Sequence, residues 1–443
     1  MNRKHVACSL LALALSTGVA FAAKTVTVTT TTINGGGSSL AFPTYAQDFS
    51  TYTSTKSTAK AVYDFSYEAV GSGAGQSAFL NNNINYFEPV SATNTIGYAA
   101  GTLTYGAIVG TQVDFGASDA FLTASQLTNP ATGSYGTATE GSAVDGPLIQ
   151  VPTIGTPITI PYNQSALGTT ALNLNDAQLC GVMSGKITDW HSLNSKIPAG
   201  TTITVVYRTD GSGTSFLLTQ HLQAVCTSAT SNVTFTATKT FASVFGAAGV
   251  PSNFIGESGS GGVANELVAT SNSFGYLSPD YTSIAPSSSH TTSLLVASIY
   301  NDTKKKYYQP TVANTTLGLT HAASDATFST PPATLAAAQD PLNWVPAVPQ
   351  TTNGYPIVGY TTVDVSSCYH VAARGTLVIN ILNDILNKNG SYATITTNNG
   401  FVPLQNSGAA KFYTAIKDDF LTNTSGFNIN IDNTTLCAGL PGR

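Results

Sequence analysis

The segment Arg208-Thr209-Asp210-Gly211-Ser212-Gly213-Thr214 concentrates groups that could hold an anion. A guanidinium offers parallel N–H donors that match oxyanion geometry. A Gly/Ser/Thr turn opening a helix adds unpaired backbone N–H groups and about half a positive charge. Asp210, two residues from Arg208, is placed either to hold the guanidinium or to make a local turn hydrogen bond. Alone, Gly211 to Thr214 reads as an ordinary helix N-cap, and Arg208 as a charge at a strand end. Related turns recur at Gly35-Gly36-Gly37-Ser38-Ser39, Gly71-Ser72-Gly73-Ala74-Gly75 and Gly116-Ala117-Ser118-Asp119. Several such turns, one with an arginine and one ending in an aspartate, point to a site for a tetrahedral anion.

Asp119 narrows the chemistry, because a carboxylate repels an anion unless that anion has a proton to donate. Monohydrogen phosphate carries one and sulfate does not. A buried Asp119 would accept the phosphate proton and leave sulfate uncompensated; in an ordinary turn it would cap the helix after Phe115 instead. Patterns for catalysis are weaker. His191, His221, His290, His321 and His370 show no paired metal-ligand spacing, and no Gly-x-Ser-x-Gly elbow occurs. Gly181-Val182-Met183-Ser184-Gly185-Lys186 is one residue short of a phosphate loop and lacks Ser or Thr after its lysine. No metal and no cofactor is expected.

These turns need strands before them and helices after them. Tyr63, Phe65, Tyr67 and Ala69 alternate ahead of Gly71, and Ile203 to Tyr207 lead into Arg208. Phe42, Tyr45, Ala46 and Phe49 fall at i, i+3, i+4 and i+7, and Leu218, Leu222 and Val225 share a helix face. Strands alternating with helices imply an α/β fold with ligands at the carboxyl ends of strands. Proline-rich stretches at 147–161 and 341–360 bracket the middle of the chain. They suggest two lobes joined by two crossings, with 23–154 and 358–443 forming lobe I and 155–357 forming lobe II.

Charged residues make up only 9% of the 443 residues, and the net charge of −5 with no basic cluster argues against nucleic acid or an anionic membrane as partner. Lys304, Lys305 and Lys306 read as a solvated loop. Arg3 and Lys4, the apolar run from Val6 to Leu15 and Ala20-Phe21-Ala22 read as a secretory signal over residues 1–22, with Ala23 opening the mature chain. Cys8 leaves with the signal. Cys180, Cys226, Cys368 and Cys437 remain, an even number in an exported protein. Of three possible pairings the simplest joins sequence neighbours. No second run of about 18 apolar residues occurs, so no membrane anchor is expected.

The residues carrying this chemistry lie in segments that resemble the periplasmic phosphate-binding proteins of ABC transporters, and more closely their DING branch. The segments are INGGGSSLAFPTY from Ile33, AVGSGAGQSAFLNNN from Ala69, VDFGASDAFL from Val113, LCGVMSGKITDW from Leu179, VVYRTDGSGTSF from Val205, FGYLSPDY from Phe274 and YPIVGY from Tyr355. The resemblance implies a two-lobed type II periplasmic binding fold with phosphate in the cleft between lobes. It implies phosphate contacts from Ser39, from Leu40 through its backbone, and from Ser72, with Asp119 as proton acceptor. Arg208, Ser212, Gly213 and Thr214 would complete the cage, with Asp210 orienting Arg208. It also supports the pairings Cys180–Cys226 and Cys368–Cys437.

Thr32 stands where the DING motif has aspartate, and RTDGSGTS is closer to the transporter-linked version. The chain therefore combines features of both branches. The resulting expectation is a monomeric periplasmic or secreted protein that binds inorganic phosphate for uptake or scavenging and is not an enzyme, with a phosphate ABC transporter permease as a candidate partner. A secreted phosphatase for phosphomonoesters is the alternative, although neither a nucleophile motif nor a metal centre is visible. A third reading, an extracellular adhesive or inhibitory protein, predicts no stabilisation by phosphate.

Overall fold

The computed structural model describes residues 28–87, 111–127, 146–285, 294–322, 330–345, 348, 350–387, 389–440 and 442–443. The expected signal segment and His290 lie outside them.

β-branched threonines open strand β1 (Thr29–Gly37), which pairs in parallel with β2 (Ala61–Glu68) and β3 (Phe115–Ser118). Beyond β3 come β13 (Val358–Ser366), β4 (Leu148–Pro157) and the short β14 (Val402–Pro403), all paired antiparallel, giving the order β14-β4-β13-β3-β1-β2. Every residue of β4 and β13 is buried, as befits strands covered on both faces. Helix α1 (Phe42–Lys56) lays Phe42, Tyr45, Phe49 and Tyr52 on this sheet, and Phe49 stacks on Phe65 with ring centroids 4.6 Å apart. Pro43 in its first turn has a preset φ and no N–H to leave unpaired. The other helices of this lobe are α2 (Ser72–Asn81), α3 (Ala124–Leu127), α9 (Ala372–Leu386), α10 (Ser391–Asn398) and α11 (Ala410–Ile416).

A second sheet takes the order β10-β5-β9-β7-β8, from β5 (Pro161–Asn163), β7 (Thr204–Arg208), β8 (Phe254–Glu257), β9 (Ser273–Gly275) and β10 (Leu295–Val296). A smaller sheet joins β6 (Asn173–Leu174), β11 (Ser298–Asn301) and β12 (Lys306–Tyr308). Helices α4 (Asp176–Met183), α5 (Gly213–Val225) and α6 (Gly259–Ala269) belong to this lobe. A disulfide ties Cys180 in α4 to Cys226 at the end of α5, and a second joins Cys368 to Cys437.

The chain passes between the lobes on two strand ends lying side by side. Val358 pairs with Pro157, the N–H of Ile158 donates to the carbonyl of Ile357 at 2.9 Å, and the Tyr355 hydroxyl donates to the carbonyl of Ile158 at 2.7 Å. Strand β4 thus runs on to Pro157, past the expected boundary at residue 154. Helices α7 (Val312–Ala322) and α8 (Leu335–Ala338) fall within the span assigned to lobe II, yet α7 packs on the first sheet. Trp344 likewise packs its ring on Phe412 and Phe420.

Asp364, in the middle of β13, is almost wholly buried, and neither carboxylate oxygen has a hydrogen-bond partner among the described residues. Burial pushes its pKa up to about 8, with the Lys239 charge pulling the other way. The folded protein therefore holds a proton there that the unfolded chain loses near the ordinary 3.8, so stability falls as pH rises from about 4 to about 8. Asp364→Asn removes that slope. Thermal unfolding of both proteins from pH 5 to pH 9 should show the variant gaining on the native chain as pH rises; a constant difference would refute the assignment.

Candidate functional site

Five parallel strands end at the cleft. The turn after β1 carries Ser38, Ser39 and Leu40; the turn after β2 carries Gly71 and Ser72; Asp119 follows β3 directly. From the other lobe, β7 ends in Arg208 and leads into α5 at Gly213, while β8 leads into α6 at Gly259. Ser39, Ser72, Asp119, Arg208, Ser212 and Thr214 are all buried, and Arg208 and Asp119 are each only 2% exposed.

Asp119 accepts 2.8 Å hydrogen bonds from the hydroxyls of Ser38 and Thr361, with Ser72 at 3.5 Å, and its own N–H donates to the Ser72 hydroxyl at 3.1 Å. Burial raises its pKa against the pull of these hydroxyls and of Arg208. Thr361 reaches Asp119 where the register of β13 shifts against β4, between Thr361 and Thr362. Such an irregularity re-aims a side chain, and Pro152 of β4 sits opposite it, where a missing N–H is tolerated.

Arg208 is gripped side-on by Asp210: Nε donates to Oδ1 at 2.6 Å and Nη2 to Oδ2. Burial alone would depress the guanidinium pKa, but the neighbouring carboxylate outweighs it and leaves it raised. Asp210 is correspondingly held below the usual carboxylate range, its own burial being overcome by Arg208 and by the Gly259 N–H at 3.0 Å. Nη1 points away from Asp210, reaching the hydroxyls of Thr214 and Ser260 at 3.3 Å. Ser212 caps α5 by accepting from the N–H of Ser215 at 3.1 Å, leaving the first-turn N–H groups of Gly213 and Thr214 as donors.

The two walls touch. The Gly73 N–H donates to the Gly211 carbonyl at 2.6 Å, Phe121 meets Phe216 edge-on, and the Lys239 ammonium donates to the Gln76 carbonyl oxygen. Two glycines permit this approach. A Cβ on Gly213 would lie 2.5 Å from the Ser72 hydroxyl and 2.6 Å from Asp119 Cβ. One on Gly71, whose φ is +96°, would lie 2.2 Å from Asp210.

The structure thus brings Ser39, Ser72, Asp119, Arg208, Asp210, Ser212, Gly213 and Thr214 to one place, with Leu40 wholly buried beside Ser39. Sequence reasoning missed Thr361, Ser260, Gln76 and Lys239. Ser260 had a readable signal, since Glu257-Ser258-Gly259-Ser260-Gly261-Gly262 repeats the strand, turn and helix pattern of the other walls.

A family model for the PBP superfamily domain matches residues 17–338. The chain belongs to the PBP superfamily. Alkaline phosphatase L of Pseudomonas aeruginosa PAO1 is 34% identical to this PBP superfamily protein over 440 residues, covering 97% of each. A phosphate-binding protein from an unknown prokaryotic organism is 31% identical over 391 residues, covering 84% of this chain and 92% of its own. A high-affinity periplasmic phosphate-binding protein named PfluDING, solved with phosphate bound, superposes with a TM-score of 0.71 at 30% identity, covering 93% of this chain and 99% of that one. A phosphate-binding protein from Stenotrophomonas maltophilia gives a TM-score of 0.69 at 30% identity over the same shares. The expected two-lobed type II α/β fold is therefore that of the DING and periplasmic phosphate-binding structures.

Proposed function

We propose that this protein is exported and captures inorganic phosphate, as monohydrogen phosphate, between its lobes, and that Ser39, Leu40, Ser72, Asp119, Arg208, Ser212, Gly213 and Thr214 form the cage with Asp210 holding Arg208. The observation that carries the reading is a buried carboxylate facing a buried guanidinium across a closed cleft. Asp210 already neutralises much of the Arg208 charge, so Asp119 leaves the cage short of positive charge for a fully ionised dianion. An anion that brings its own proton resolves that imbalance, because Asp119 can accept it in a charge-assisted hydrogen bond. The four cysteines joined in two disulfides suit an oxidising compartment, periplasmic or extracellular. Delivery to a phosphate ABC transporter permease is one use of the captured ion, and scavenging is the other. Lobe I comprises 23–154 with 358–443 and lobe II 155–357, with α7 of the latter span reaching back onto the first sheet.

Native mass spectrometry of the purified protein should find one phosphate per chain, removable by dialysis against a phosphate scavenger and restored by titration. Absence of both the retained ion and the titration would defeat the reading. The relatives named Alkaline phosphatase L favour a second one, hydrolysis of phosphomonoesters. The closed walls oppose it, since an ester group would have to pass where Gly213 abuts Ser72 and Asp119. Release of nitrophenol from an aryl phosphate by rigorously purified protein, lost on Asp119→Asn, would reverse the choice; none is expected.

A further inference from the structure

We propose that Ser260 is a positioning residue of the cage, clasping Arg208 of one lobe to Ser39 of the other and so setting how long the ion is retained. The proposal rests on the phosphate reading above. Ser260 stands in the first turn of α6 and is fully buried. Its N–H donates to the Ser39 hydroxyl oxygen at 3.1 Å, the two hydroxyls lie 3.1 Å apart, and Arg208 Nη1 donates to its oxygen at 3.3 Å. Ser39 and Arg208 thus meet through one side chain, although they belong to opposite walls.

The proton count explains why a serine suits this position. The two hydroxyls supply two O–H donors between them, and their mutual bond consumes one. Ser39 also receives the Ser260 N–H, and Ser260 also receives the guanidinium, so each oxygen has an acceptor role filled by the protein. One O–H stays free for an oxygen of the bound ion while the clasp remains made. Nη1 is the guanidinium nitrogen that Asp210 does not hold, and Ser260 with Thr214 fixes its direction. Alanine would keep the N–H bond to Ser39 but free Nη1 on one side and remove the hydroxyl bridge.

The expected signature is kinetic, because a bond made only when the walls meet acts on opening rather than on encounter. Stopped-flow measurement on Ser260→Ala should show phosphate release about tenfold faster, as for a lost hydrogen bond to a charged group, with the association rate within about twofold. The ratio of phosphate to sulfate affinity should not move, since Asp119 is untouched. A role confined to packing would lower the melting temperature of the free protein and leave release unchanged. Ser260→Thr keeps the hydroxyl and should release near the native rate. A cycle with Ser39→Ala should be non-additive, because either substitution opens the same clasp. Normal binding with unchanged release from Ser260→Ala, or additivity in the cycle, overturns the clasp alone. A native protein that binds no phosphate overturns both the clasp and the function beneath it.

Discussion

Phosphate should raise the melting temperature of this protein at pH 8, and sulfate at the same concentration should leave it unchanged. A ligand that binds only the native state stabilises by RT ln(1 + [L]/Kd), about 2.7 kcal/mol at a hundredfold excess over Kd, which thermal unfolding resolves easily. Sulfate is denied that gain because Asp119 accepts hydrogen bonds from Ser38 and Thr361 and offers an anion nothing but repulsion. The sign with pH follows from the raised Asp119 pKa. Above it the carboxylate is charged and accepts the proton of phosphate. As pH falls through it, Asp119 acquires a proton of its own and can donate to either anion, so the preference should narrow on the acid side. Asp119→Asn imposes that state at every pH: phosphate should bind somewhat more weakly, sulfate should begin to stabilise, and the pH dependence of the preference should flatten. Equal shifts from both anions with the native protein at pH 8 would show that Asp119 is not the discriminating group.

Arg208→Ala should abolish stabilisation by phosphate and should also weaken the empty protein. The first effect needs only the loss of the permanent charge from a buried cage. The second arises because Asp210 would keep its burial and its bond to the Gly259 N–H but lose the guanidinium that holds it ionised. Breaking a buried pair from one side costs about 3 to 5 kcal/mol, through the charge left behind. Combining Arg208→Ala with Asp210→Asn should recover most of the stability and none of the binding, which separates the two roles. Urea unfolding supplies the first quantity and calorimetric titration the second. Undiminished phosphate affinity in Arg208→Ala would remove the guanidinium from the cage.

Both effects trace to residues that could be read from the chain because their grammar is local. A strand, a Gly/Ser turn and a helix fit within about a dozen residues, so Arg208 to Thr214 announce their geometry by themselves, whereas Gly116 to Ser118, expected as a turn, are taken into β3 by pairing with β1 and β13 on either side. Thr361 could not announce itself, since it meets Asp119 across 242 residues through a register shift that no periodicity encodes. The same holds for α7, whose helical character is local but whose choice of sheet depends on the contact of Leu319 with Gly155 and of Gly318 with Tyr355. Ser260 escapes the sequence reading although its turn repeats the local pattern, because that turn carries neither an arginine nor an aspartate.

The position of β13 has a consequence for the order in which the molecule can assemble. It lies between β3 and β4 in the first sheet, yet about 200 residues separate its start from the end of β4. The strands of the second sheet come from one continuous stretch, so that lobe can close its core while the rest is still being delivered. The first lobe cannot: until β13 arrives, β3 and β4 present unpaired edges to one another across a gap one strand wide. The late strand also brings Thr361, so an incomplete first sheet lacks part of the setting of Asp119. Refolding should therefore restore the second lobe in a fast phase and ligand competence in a slower one that tracks insertion of β13.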